Sequence, residues 1–307
     1  MKPLLALLLL GVTACAASAD PDLLPDARPT ADARPAPDAA LAGIPPDAAP
    51  DAALPDGGSA GGHLLLSEVN VVPDLAAFIE IVNPTSQVVP LDNYLLSDDE
   101  DYALYAGWAG AGPEPSISLV DFIVRFPEGA SIESGEVITI ALSANGFFEA
   151  FGSAATYTFN NPAETGATQM LLVAGWLPIL SPAGENLVLF TWDGSSDLIG
   201  DVDMINVGLP GETEAIGDKT LIAVDGPDED LLPSQYAADA HTMPMQLAAP
   251  GEGTSTKRIA GELGYEISGS GNGITGDDET SEDISLTWDA PPYSAPTPGT
   301  VPAALLP

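Results

Sequence analysis

The chain has 307 residues, with 7 Lys+Arg against 45 Asp+Glu and a formal net charge of −38. Such a surface repels phosphate, which excludes affinity gained by counterion release from nucleic acid. Gly and Pro together make up about a fifth of the residues, which argues against a mostly helical protein, and a single Cys excludes an internal disulfide or a Cys-based zinc site.

The first element is an address. Met1-Lys2-Pro3 is a short positive segment and Leu4–Leu10 an apolar run too short to span a bilayer, which takes about 20 apolar residues. It has the form of the hydrophobic core of a secretory signal. Val12-Thr13-Ala14-Cys15 resembles a bacterial lipobox. That resemblance implies cleavage before Cys15, a diacylglycerol on its thiol and a signal peptide of residues 1–14. The other reading is ordinary signal cleavage near Ala17 or Ala19. With Ala16 rather than Asp after the cysteine, the sorting rule of enteric bacteria points to the outer membrane.

Residues 15–62 are expected to form a disordered Pro/Ala/Asp-rich linker. Pro-Asp-Ala recurs at Pro25, Pro37, Pro46 and Pro50, and no aromatic residue occurs between Asp20 and Gly62. Too little apolar area is available there to offset the entropy of ordering. At about 3.1 Å per residue, this tether would reach at most on the order of 130 Å.

From His63 onward, short alternating runs are separated by Gly, Pro, Asn and Asp. Strands are predicted at Leu64–Val71, Ala77–Asn83, Asp121–Phe126, Val137–Ser143, Asn186–Trp192, Asp201–Val207, Lys219–Val224 and Ile284–Trp288. A short helix is predicted at Asn145–Phe151, with Asn145 as its N-cap. The fold class is therefore mainly β, and period two between turn signals points to a β-sandwich.

Within this stretch, Ser67-Glu68, Glu80-Ile81-Val82-Asn83-Pro84-Thr85, Leu91-Asp92-Asn93-Tyr94, Ser134-Gly135-Glu136, Gly184-Glu185-Asn186, Val202-Asp203 and Pro296-Thr297-Pro298-Gly299 follow in order. That order resembles the lamin-tail domain, as found in bacterial lipoproteins. The resemblance implies an immunoglobulin-like β-sandwich over residues 63–307. Long insertions would lie at Asp98–Ser118 and Gly208–Asp283. It carries over no activity.

Calcium takes six to eight oxygens on a turning backbone. Asp225, Asp228 and Asp230 lie in one Gly/Pro-containing loop, and Asp277 and Asp278 in another; all five are candidate calcium ligands. Asp98–Asp101 is a further acidic run, and Asp201 and Asp203 would share one face of a regular strand. The alternative is solvated loop charge, since Asp also forms turns. His63 at the linker edge and His241 in a loop are the only imidazoles, and no G-x-S-x-G elbow accompanies them. Trp108 is the best candidate for an exposed aromatic contact, the favoured alternative being packing of a long loop, and Lys257-Arg258 is expected to be a surface pair near Glu252 or Glu262. The expected function is a non-enzymatic, lipid-anchored envelope or surface protein. Its anchor would engage the membrane and its domain a protein or glycan, not nucleic acid. The rival readings are a calcium-stabilised envelope protein and an accessory domain of an extracellular hydrolase system.

Overall fold

The computed structural model describes residues 62–109, 117–160, 162, 165–176, 178–209 and 217–307. The expected signal peptide, Cys15 and all but the last residue of the expected linker lie outside them. In chain order the strands are β1 (Leu65–Asn70), β2 (Phe78–Val82), β3 (Val89–Pro90), β4 (Tyr94–Ser97), β5 (Ile123–Arg125), β6 (Ser131–Ile132), β7 (Val137–Ala141) and β8 (Tyr157–Thr158). They continue with β9 (Thr168–Gln169), β10 (Leu171–Ala174), β11 (Gly184–Thr191), β12 (Gly200–Gly208), β13 (Ala223–Val224), β14 (Ser234–Gln235), β15 (Leu247–Ala248) and β16 (Thr256–Lys257). Short helices α1 (Tyr105–Ala109), α2 (Ala144–Phe151) and α3 (Ile284–Thr287) interrupt them.

The fold is mainly β, as the alternation predicts. One six-stranded sheet runs β16-β1-β2-β7-β8-β9 and a second runs β10-β5-β4-β11-β12-β15. Consecutive strands β9 and β10 sit at edges of different sheets, and so do β15 and β16, so the chain changes sheet at both places. One apolar core draws on both sheets: Leu66, Ile79, Ile81, Ile138 and Ile140 from the first, and Leu96, Val124, Leu187, Leu189 and Ile205 from the second. The outer faces are covered too. Phe147 and Phe151 of α2 pack edge-on against Phe78. Leu305 near the C-terminus covers Leu65 and Val82. The 98–109 segment and residues 222–236 cover Phe190 and Met204. The late insertion is thus part of the sheets, since it supplies β15 and β16.

Three local expectations are corrected. Ile284–Trp288 does not form a strand: Asp283 accepts a bond from the Ser285 amide, and residues 284–287 form α3 with Ile284 and Thr287 buried one turn apart. Spacing of apolar residues over five positions does not separate the two periods. The cap of α2 is Ser143, whose Oγ accepts from the Gly146 amide at 3.3 Å, rather than Asn145. Of Lys219–Val224, only the last two residues are strand.

Glu68 and Glu80 of the first sheet meet the C-terminal segment at Thr297 and Gly299. Glu68 and Glu80 stand directly opposite each other on β1 and β2, both buried. Two like charges so placed repel. The C-terminal strap offsets this: Thr297 donates its amide to Glu68 at 2.9 Å and its hydroxyl at 3.1 Å, and the Gly299 amide donates to Glu80 at 2.5 Å. Ser255 and Ser67 donate to Glu68 and Glu80. Asn83 holds the following turn through the Thr85 amide and its own bonds to the Gln87 and Ile132 carbonyls.

Burial, with Glu68 as a secondary contributor, pushes the Glu80 carboxyl up to about 8 from 4.5. The folded chain then holds a proton that the unfolded chain has lost between these values, so this contribution to stability falls as pH rises through that window. Glu80→Gln, which mimics the protonated acid, should match the parent at the acid end. It should exceed the parent by at least ~1 kcal/mol in alkali. Urea melts across pH check this, and parallel pH profiles for the two proteins would refute it.

Candidate functional site

The centre of the polar chemistry is Asp201-Val202-Asp203 on β12. A β-bulge there changes the register: Leu189 pairs with Asp203, whereas Phe190 pairs with Asp201. The extra residue sends the two aspartates to opposite faces, against the expectation that they share one. Asp203 sides with Leu189 and the intersheet core, and Asp201 with Phe190 and the outer core.

On the outer side, Asp201 Oδ2 lies 2.5 Å from Lys219 Nζ. The Tyr102 hydroxyl donates to Asp201 Oδ1 at 3.0 Å and accepts from Lys219 Nζ at 3.0 Å. Asp239 accepts the Lys219 amide at 2.6 Å and stands 3.6 Å from its Nζ. Burial disfavours the Lys219 charge, but Asp201, Tyr102 and Asp239 outweigh that and hold its pKa well above the usual value. Burial raises Asp201, with Lys219 opposing.

On the inner side, Arg258 is fully buried, so the expected surface pair is wrong for this residue. Its backbone joins it to β1 through Ser67, and that carries the side chain inward between the sheets. Its NεH donates to the Leu66 carbonyl at 2.7 Å, one terminal nitrogen to Glu282 at 2.8 Å, and the other to both Asp203 oxygens at 2.7 and 2.8 Å. Glu262 Oε1 is 2.9 Å away, and the guanidinium lies 4.9 Å from the Trp288 ring centroid. Of the two expected partners, Glu262 is thus one. Lys257 instead reaches the strap through Ser294 Oγ at 2.6 Å and the Ala295 carbonyl at 2.7 Å.

Beside this network, His63 Nε2 is 2.6 Å from Glu262 Oε2. One ligand atom each from His63, Glu262 and Glu279 lie within 4.8 Å of one another. Burial lowers the His63 pKa. Burial pushes Glu262 up to about 8 and Glu279 well above the carboxylate range. Glu266, with burial and Glu262 as causes, is pushed up to about 9. Among the described residues, Glu262 Oε1, Glu266 Oε2 and Glu279 Oε2 have no hydrogen-bond partner. A recess lined by Met204, Asn206, His241 and Thr280 also reaches Glu279.

The five candidate calcium ligands separate. Asp225 and Asp228 converge with Asp197, which the sequence reading missed. Both are exposed, and the Asp197 oxygens already accept the Gly226 and Ser234 amides. Asp230 stands outside this group and accepts the Leu232 amide. Asp278 is buried and accepts from the Ala240 amide and the Thr280 hydroxyl. Asp277 accepts from the Thr275 hydroxyl. Asp99, Glu100 and Asp121 form another close acidic group. His241 lies 3.5 Å from the half-exposed Asp218. Trp108 packs partly buried against the outer core, whereas Trp176 is 81% exposed. Glu262, Glu279 and Glu282 carried no sequence signal as a site, because their common feature is burial.

Neither a family model nor a curated protein matches the chain. Among solved structures, a DUF4876 family protein from Bacteroides thetaiotaomicron VPI-5482 aligns with 79% of this chain and 75% of that chain, at 15% identity and a TM-score of 0.46.

Removing the Lys219 ammonium strands Asp201 in the outer core. Lys219→Met should cost ~3–5 kcal/mol. Adding Asp201→Asn should restore part of that loss, because no buried charge is then left unpaired. Strictly additive losses in chemical denaturation would contradict the coupling.

Proposed function

We propose that the protein is exported and lipid-anchored at the cell envelope through Cys15, and that its β domain is a non-enzymatic module that docks an extended protein segment. The observation that carries the docking half is the edge strand β10. Among the described residues it pairs with β5 on one side only. Leu171, Leu172 and Val173 are each 40% or more exposed, and Trp176 follows just beyond the strand. Exposed apolar residues on an unpaired strand edge favour addition of a partner strand, with main-chain bonds for affinity and side chains for selectivity. Soluble proteins keep such surfaces small unless they are covered. The lamin-tail-like order of motifs is compatible with a binding role. The anchoring half rests on the Leu4–Leu10 run and on Val12-Thr13-Ala14-Cys15.

In cells making the full chain, Cys15→Ser should abolish acyl labelling and move the protein out of the membrane fraction. Retention of label on the variant would refute the anchor. A photo-crosslinking residue at Leu172 should give one discrete protein adduct, weakened at least tenfold by Trp176→Glu. Absence of an adduct, or one indifferent to Trp176→Glu, would refute docking at this edge.

A further inference from the structure

We propose that His63, Glu262 and Glu279 form a binding site for one divalent transition-metal ion, with zinc the best fit. The three come from separate parts of the chain: the residue before Leu64 and β1, the segment after β16, and the turn Glu279–Ser281. Their ligand atoms already converge within 4.8 Å, so small movements bring them to one ion. Zinc takes imidazole and carboxylate ligands at about 2.0–2.2 Å.

The second observation is the state of Glu279. It is 5% exposed, yet its Oε2 has no donor among the described residues. A buried carboxylate in that position is costly unless a cation or proton joins it. Arg258 does not fill that role, because its donors go to Asp203, Glu282 and the Leu66 carbonyl. Asp203, Glu262 and Glu282 also converge, but there the Arg258 guanidinium already supplies the positive charge, hydrogen-bonding Asp203 and Glu282 and lying 2.9 Å from Glu262 Oε1, and no ion is called for. At Glu279 the carboxylate excess has no such partner.

The ligand chemistry selects the ion. An imidazole with two carboxylates suits first-row divalent metals. Calcium takes oxygen alone and more of it. A bound ion would staple the 262–282 segment to the start of β1. The inference is independent of the anchoring and docking readings.

The test uses the full chain, stripped with chelator and titrated with zinc, manganese and calcium chlorides. Metal content is read by elemental mass spectrometry and stability by thermal melting. Zinc is expected to bind at one ion per chain and to raise the melting temperature. His63→Ala and Glu279→Gln should each weaken it at least tenfold. Glu279→Gln, near-isosteric with the parent, should melt higher than the parent in chelator and lower in saturating zinc. No stoichiometric zinc on the parent chain would overturn the proposal whatever the variants do. So would zinc binding unchanged in both variants, or calcium held in preference at a site that Glu279→Gln removes.

Discussion

One buried guanidinium holds the two sheets in their relation to each other. Arg258 reaches the Leu66 carbonyl on β1, Asp203 on β12 and Glu282 ahead of α3, and it stacks on Trp288. Asp203 in turn accepts the Leu66 amide at 2.5 Å. A charge taken out of water survives only with its donors paired in good geometry, and here the fork-shaped donor set is matched by carboxylates and a carbonyl from several elements. Such an arrangement does little for net stability compared with an apolar plug of the same volume. It does fix which residues of β1 and β12 face each other, and it fixes how the long late insertion joins the domain.

The bulge in β12 makes this compatible with a second network. A regular strand would place both aspartates on one face, and one network would lack its acid. With one extra residue, Val202 and Asp203 both face the intersheet core, while Asp201 meets Lys219 and Tyr102 on the other side. A single local irregularity thereby links the core to the segments that cover the second sheet.

Chain-wide acidity has a different meaning on the surface and inside. Outside, Asp225, Asp228 and Asp230 are solvated, and Asp228 and Asp230 form short bonds to nearby amides. Inside, cations are few, and acids such as Glu80 and Glu185 rely on amide and hydroxyl donors while burial pushes each carboxyl up to about 8. Glu262 and Glu279, beside His63, go further, because among the described residues one carboxylate oxygen of each is left with no hydrogen-bond donor. The polar features that merit attention are therefore the hidden ones, not the runs of Asp that dominate the sequence.

The sequence by itself determined the mainly β character and the position of most long strands, because alternation and turn residues act over a few neighbouring positions. The amides of Thr297 and Gly299 that satisfy Glu68 and Glu80 come from far along the chain, so that pairing belongs to the tertiary structure. Short strands such as β8, β9, β15 and β16 were not legible, since two residues carry no period. Nor was the switch of Ile284–Thr287 to a helix, which depends on a cap at Asp283. The candidate site was hidden for a stronger reason. Arg258 lies 192, 55 and 24 residues from the partners Leu66, Asp203 and Glu282. Whether a charged residue is solvated or buried, and which distant acids it meets, follows from sheet pairing and register, which only the tertiary structure decides.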